Sequence, residues 1–234
     1  MISTRTPGTW SGSTTEAITL GSVARILAVA DEVDEGLYGD RLRLLRPDLV
    51  LSAGDLPFDY LDYLVSRLDV PLVYVPGNHD VDLSRGDPKW TPLQAEVPAP
   101  GPGGCDSVDG RVVDAAGVRI AGLGGSIRYK EGPNQYGQSA MRRRALALEA
   151  RCRVKSAIDG RGLDILLTHA PPSGVGDGPD AAHRGFLAFH RLATELRPRY
   201  LVHGHVHPYG VRLPELQLGV TTVVNVIPYR LLEL

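Results

Sequence analysis

Cysteine is scarce in this sequence: Cys105 and Cys152 are the only two among 234 residues, and they form no CxxC pair. This scarcity argues against a disulfide framework and against a zinc site built from thiolates, and it favours a reducing compartment. Long apolar runs are also missing. The mildly apolar stretch 18–30 is interrupted by Arg25 and followed by acidic residues, so it fits neither a transmembrane helix nor a signal peptide. We therefore expect a cytoplasmic protein.

An excess of one charge is missing as well. Lys and Arg together number 25, Asp and Glu 27, and the formal net charge is -2. This balance gives no electrostatic reason to bind nucleic acid or a membrane surface. With 43% hydrophobic residues, the composition predicts one globular domain. We assign that domain to residues 21–234, and we expect residues 1–20, which are rich in Thr, Ser and Gly, to form a flexible tail.

The sequence does contain a repeated alternation of short apolar runs with helix-like segments. The apolar runs have the length of buried strands and lie at 26–30, 49–51, 71–75, 165–167 and 200–202. Helical patterns occupy 36–46, 58–68, 138–159 and 186–196, and strand pairs are expected at 111–123 and within 211–234. The stretch 81–110 contains many prolines and glycines and predicts an irregular loop. The alternation is typical of a βαβ protein, in which ligands bind at the carboxyl ends of the strands.

The strand-like runs are followed by side chains that can bind a metal ion. They are Asp31, Asp55, Asn78, His79, His169, His205 and His207. Carboxylate, amide oxygen and imidazole together suit Mn, Fe or Zn. Two aspartates and several histidines exceed what one tetrahedral ion needs, so the set favours a two-metal site. The plain alternative is that these residues are turn formers, helix caps or solvated histidines at strand ends.

The order of these segments resembles a known family. Asp31-x-Val33, Gly54-Asp55, Gly77-Asn78-His79-Asp80, Thr168-His169 and Gly204-His205-Val206-His207 are similar to the five signature blocks of the calcineurin-like metallophosphoesterases. The resemblance implies an α/β fold with two packed mixed β-sheets flanked by helices, a four-layer αββα sandwich. It also implies a metal-dependent phosphoesterase in which a metal-bridged hydroxide cleaves a phosphodiester or a small phosphomonoester.

The resemblance further implies a role for each matching residue. Metal one is bound by Asp31 and His207, metal two by Asn78, His169 and His205, and Asp55 bridges both. His79 polarises the phosphate or protonates the leaving group, and Asp80 orients the ring of His79. Family members often place substrate-binding groups in the loop after the fourth block, and this suggests His183 and Arg184. For these two residues an ordinary surface loop is the alternative.

One position departs from the family pattern. The third residue of the first block is usually histidine, and here it is Val33. Water, Glu32 or Asp34 could replace that ligand; otherwise metal one is weak or absent. The loss keeps open an alternative function, a binding or scaffold protein that has the same fold and a weakened metal site. A single-metal hydrolase of amides or esters is a third hypothesis.

Overall fold

The computed structural model describes residues 23–81 and 101–234. The strands are β1 (Arg25–Val29), β2 (Leu49–Ser52), β3 (Leu72–Tyr74), β4 (Cys105–Ser107), β5 (Val112–Ala115), β6 (Val118–Leu123), β7 (Ser126–Ile127), β8 (Gln135–Tyr136), β9 (Ile165–Thr168), β10 (Tyr200–His203), β11 (Leu216–Leu218), β12 (Thr221–Asn225) and β13 (Tyr229–Glu233). The helices are α1 (Asp40–Leu45), α2 (Phe58–Leu68), α3 (Gln138–Asp159) and α4 (Ala188–Leu196), with a 3-10 turn at Glu35–Tyr38. The expected tail at 1–20 and residues 82–100 of the predicted loop lie outside this description.

The larger strands form two mixed sheets. In the first, the order is β13-β1-β2-β3-β4, and β1 to β4 run parallel while β13 is antiparallel to β1. In the second, the order is β11-β12-β10-β9-β6-β5, with a parallel centre and antiparallel edge strands. Strands β7 and β8 form a separate parallel pair.

Alternating side chains of the strands build three apolar layers. On β1, Ile26 and Ala28 belong to a core that both sheets share, whereas Leu27 and Val29 face a second cluster with Leu42 and Leu64 of α1 and α2. This period of two is the normal geometry of a strand that is buried on both faces. A third cluster joins the second sheet to α3 and α4. The predicted four-layer αββα sandwich is therefore confirmed.

The predicted elements differ from the observed ones in several places, and the short pair of β7 and β8 was not predicted. The helix expected at 36–46 is split into a 3-10 turn and α1, because Gly39 between them is extended (φ -116, ψ -162). The helix expected from residue 186 begins at Ala188. Strand β4, which pairs in parallel with β3, lies in the predicted irregular loop. It has three residues and no fully buried side chain, so it carries no apolar run to reveal it.

The structure also bears on membrane-spanning helices and on the state of the two cysteines. Within residues 23–81 and 101–234, no helix is long and apolar enough to cross a membrane. Cys105 and Cys152 are both free thiols in this structure.

Candidate metal centre

Four side chains from both sheets converge on one point. Asp31, Asp55, His169 and His205 each offer a ligand atom, and these four atoms lie within 4.8 Å of one another. They follow the carboxyl ends of β1, β2, β9 and β10, so each sheet contributes two of them. The edge where the carboxyl ends of parallel strands meet is the usual place for a ligand site in an α/β protein.

The chain turns sharply at three of these residues. Asp31, Asp55 and His205 have left-handed backbone conformations, with φ angles of 59, 56 and 64. Aspartate and histidine adopt this conformation more often than most residues with a Cβ, but for both it costs free energy that glycine would not lose. Backbone strain of this kind concentrates at functional sites, where the surrounding structure enforces it.

The glycines of the motifs let the backbone pack directly on the two carboxylates. A Cβ on Gly77 would lie 2.0 Å from Oδ1 of Asp55, and a Cβ on Gly204 would lie 2.2 Å from Oδ2 of Asp31. Neither distance is compatible with a side chain. Glycine is therefore required at both positions for a steric reason, which is the close approach of backbone to ligand.

The ring of His169 is fixed by a hydrogen bond from one nitrogen to the opposite sheet. Its Nδ1 donates to the carbonyl of Ala53 at 2.7 Å. The remaining nitrogen, Nε2, lies 3.1 Å from Oδ1 of Asn78 and 3.3 Å from Oδ2 of Asp55. In neutral His169 all three of these atoms are acceptors. Acceptors this close need a cation between them, so the geometry fits a metal ion.

The rings of His205 and His207 are held in the same way. Nε2 of His205 donates to the carbonyl of Ala182 at 2.9 Å, and Nδ1 of His207 lies 2.8 Å from Oε1 of Glu32. Metal-binding histidines commonly have such a partner on the nitrogen that does not bind the metal. Nε2 of His207 lies 3.8 Å from Oδ1 of Asp31, at the side of the cluster assigned to metal one.

The charges of the cluster are not balanced by the side chains alone. Burial raises the pKa of Asp31 to about 6, even though the charge of His169 opposes this rise. Burial by itself lowers the pKa of His169, but its hydrogen bond to Asp55 and the two nearby carboxylates raise it to about 9. At Asp55 burial by itself raises the pKa, but the hydrogen bond to His169, the charge of His169 and the hydrogen bond from the backbone of His79 together lower it. In the absence of a metal, a proton on His169 supplies the positive charge that these carboxylates require.

His205 is suited to bind a metal at neutral pH. Burial, assisted by the charge of His169, lowers the pKa of His205 to about 3. The ring is therefore neutral, as a ligand must be. Asn78 is 3% exposed, and its Nδ2 has no hydrogen-bond partner. A buried amide donor without a partner is uncommon, and it fits a site that receives an oxygen of a bound molecule.

The residues assigned to catalysis lie in the loop that carries Asn78. The side chain of His79 is exposed, and its backbone N–H donates to Oδ1 of Asp55 at 2.8 Å. Oδ2 of Asp80 accepts from the backbone N–H groups of Gly77 at 2.7 Å and Asp55 at 3.0 Å. Asp80 thus braces two ligand loops, and its role in orienting the His79 ring stays a prediction.

The residues assigned to substrate binding lie at the rim. The ring of His183 is 5.3 Å from the ring of His205, and its Nδ1 bonds to Oδ2 of Asp180 at 2.8 Å. Arg184 is exposed. These positions leave the proposed substrate contacts as predictions.

Val33 does not take part in the cluster. Its side chain packs against the apolar core between the first sheet and its helices. A residue that sequence reasoning missed is Asn134, whose Nδ2 donates to the carbonyls of Gly77 at 3.0 Å and Asp80 at 3.2 Å. It braces the loop that carries Asn78 and His79. Asn134 is far from this loop in sequence and stands in an irregular segment, so no pattern indicates the contact.

The comparisons with known proteins agree with this geometry. A family model described as calcineurin-like phosphoesterase matches residues 22–209. The comparison with curated proteins gives no match. One solved crystal structure is 17% identical with a TM-score of 0.60, over 90% of this chain and 95% of that one. The crystal structure of TT1561 of Thermus thermophilus is 19% identical with a TM-score of 0.56, over 87% of this chain and 89% of that one. At these sequence identities, the likeness to both solved structures shows a shared fold and nothing more specific.

Proposed function

The chain belongs to the calcineurin-like phosphoesterase family, and we propose that it hydrolyses phosphodiesters or small phosphomonoesters at a centre of two metal ions, Mn, Fe or Zn. The observation that carries this proposal is the convergence of Asp31, Asp55, His169 and His205 from both sheets. Buried carboxylates next to imidazoles whose orientation is fixed by hydrogen bonds are typical of metal sites and rare in a purely structural core.

The proposed ligands divide into two groups. Asp31 and His207 would hold one ion, Asn78, His169 and His205 would hold the other, and Asp55 would serve both. Bound ions at such a centre neutralise charge on the phosphate and supply hydroxide near neutral pH. The pKa of about 9 at His169 means that this residue gives up a proton when an ion binds.

The remaining steps fall to atoms that do not bind the ions. As hydroxide forms its bond to phosphorus and the P–O bond to the leaving group breaks, the exposed His79 ring polarises the phosphate or donates a proton to the leaving oxygen. The unpartnered Nδ2 of Asn78 donates a hydrogen bond to a phosphate oxygen. Asp80 holds the backbone of both ligand loops, and so it fixes the distance between Asn78 and Asp55.

Hydrolysis of bis(p-nitrophenyl) phosphate with added Mn²⁺ tests the proposal. We expect turnover by the wild-type chain and a loss of about 10²-fold or more in kcat/KM for Asn78→Ala and His79→Ala. Asn78→Asp keeps an oxygen ligand and serves as the matched control, with a smaller loss. A wild-type protein that hydrolyses no phosphate ester under these conditions contradicts the proposal.

A scaffold function is the second candidate, and the observation that favours it is Val33. Metal analysis separates the two candidates. A chain that binds no metal and has no activity supports the scaffold, whereas metal binding with activity that depends on Asn78 excludes it. A single-metal hydrolase of amides or esters predicts one ion per chain and no cleavage of phosphate esters.

A further inference from the structure

The loop after β1 lacks the histidine that is usual in the first signature block, but its acidic residue Glu32 contacts His207. Val33 faces the apolar core, so it gives nothing to the metal centre. Its neighbour Glu32 instead extends to the loop after β10, where its Oε1 lies 2.8 Å from Nδ1 of His207. This contact joins residues 175 positions apart and connects the two sheets.

The contact determines which nitrogen of His207 is free. An ionised carboxylate only accepts hydrogen bonds, so Nδ1 carries the proton and Nε2 keeps its lone pair. Nε2 lies 3.8 Å from Oδ1 of Asp31. Two ligand atoms at ~2.0–2.2 Å from one ion are at most ~4.4 Å apart, so this spacing admits a shared ion.

The other acidic residues of the same loop do not provide this contact. Oδ1 of Asp34 accepts from the backbone N–H of Gly36 at 2.8 Å and caps the 3-10 turn. Glu35 is exposed in that turn. Glu32 is therefore the acidic residue of this loop that holds His207.

We propose that Glu32 is a positioning residue for metal one: its hydrogen bond fixes the tautomer and direction of the His207 ring, and Glu32 acts on the ion through that ring. Metal one is then retained without the usual histidine. The inference depends on the two-metal centre of the proposed function, but it concerns the affinity for metal and does not require turnover.

Calorimetric titration of the metal-free full chain with Mn²⁺ tests this role. We expect two ions to bind to the wild type. In Glu32→Ala, one site keeps its affinity and the other weakens by about 10–100-fold, which is the usual effect of losing the partner of a metal-binding histidine. Glu32→Gln regains most of this loss, because its amide oxygen can still accept from Nδ1. Glu35→Ala is the matched control and binds both ions like the wild type.

Two further measurements make the result specific. The Mn²⁺–Mn²⁺ exchange signal in electron paramagnetic resonance weakens in Glu32→Ala at an occupancy that saturates the wild type. Combining Glu32→Ala with His207→Ala adds no further loss beyond His207→Ala alone, because Glu32 acts through that ring. The exposed Glu32 side chain leads us to expect unchanged thermal unfolding of the metal-free variant.

The proposal is overturned if Glu32→Ala binds both ions with wild-type affinity, if it weakens both sites equally, or if the wild type binds a single ion. Two bound ions, a Glu32-dependent second site and no hydrolysis of any phosphate ester support the role of Glu32 and contradict the proposed function.

Discussion

The buried charged groups around Arg119 and those of the metal centre lie at opposite ends of the sheets and differ in how their charges are balanced. Arg119, the second residue of β6, is 1% exposed, and all five of its guanidinium N–H groups have acceptors. Asp114 accepts two of these bonds, Asp159 two and the carbonyl of Arg161 one. This cluster, which we call the Arg119 network, is complete without any further group.

The metal centre lacks such internal balance. Asp31 and Asp55 are buried together, and a proton on His169 is the nearest positive charge. Asn78 keeps an unpartnered donor. The comparison teaches that burial alone does not identify a functional site. A buried cluster whose charges and hydrogen bonds are all paired stabilises the fold, whereas one that lacks a cation is built to receive it.

Removing a carboxylate from the metal centre should lower activity more than any other change considered. In the metal-free protein it should raise stability. We expect Asp31→Asn to lower kcat/KM by about 10³-fold or more, because it removes a carboxylate proposed to bind metal one. In the metal-free protein, it should raise the free energy of unfolding by about 1 kcal/mol at pH 7, since burial opposes the ionised form of Asp31. Urea unfolding with a chelator measures this. A marked destabilisation would mean that Asp31 also has a structural role.

Removing the cation of the Arg119 network should lower stability and leave metal binding unchanged. We expect Arg119→Met to lower the free energy of unfolding by about 2–3 kcal/mol, below the ~3–5 kcal/mol of a fully buried pair. The expected cost is smaller than for a fully buried ion pair because the side chains of Asp114 and Asp159 are 35% and 36% exposed, so water can solvate them once Arg119 is gone. Mn²⁺ affinity should not change. Arg161→Met, at an exposed neighbour, is the control and should cost less than about 1 kcal/mol.

A steric change at the metal centre should affect both properties moderately. We expect Gly77→Ala to lower the free energy of unfolding by about 1–3 kcal/mol, because the new Cβ forces Asp55 and its loop apart. Mn²⁺ binding should weaken in the same variant. Gly137→Ala, at a glycine with open space around its Cβ position, is the matched control for both measurements. Unchanged metal binding in Gly77→Ala would show that the two loops can separate without disturbing the ligands.

The smallest expected effect is a dependence on acid pH. The hydrogen bond from Arg119 lowers the pKa of Asp114 to about 2 and also lowers the pKa of Asp159. A carboxyl group whose pKa is depressed in the folded state stabilises the protein above its unfolded pKa of ~3.9. This contribution is lost as the pH falls from ~4 towards 2. Unfolding free energies at pH 5 and pH 3 should therefore differ more in the wild type than in Arg119→Met.

The sequence predicts the metal centre better than the Arg119 network for a physical reason. Asp31, Asp55, His169 and His205 each follow an apolar run, and parallel strands bring their carboxyl ends to one edge, so local pattern implies proximity. Arg119 interrupts the apolar run of β6 and resembles an exposed strand position. Its partner Asp159 is 40 residues away, at the end of α3. That contact depends on how α3 packs on the second sheet, which no local pattern encodes.

The three histidine rings differ in how well their hydrogen-bond acceptors would survive mutation. The carbonyls of Ala53 and Ala182 belong to the main chain, so a side-chain replacement at either position leaves the acceptor in place. The acceptor for His207 is a side chain, and one codon change at Glu32 removes it. In the proposed two-metal centre, a mutation at Glu32 would therefore weaken the site of metal one and leave the other site intact.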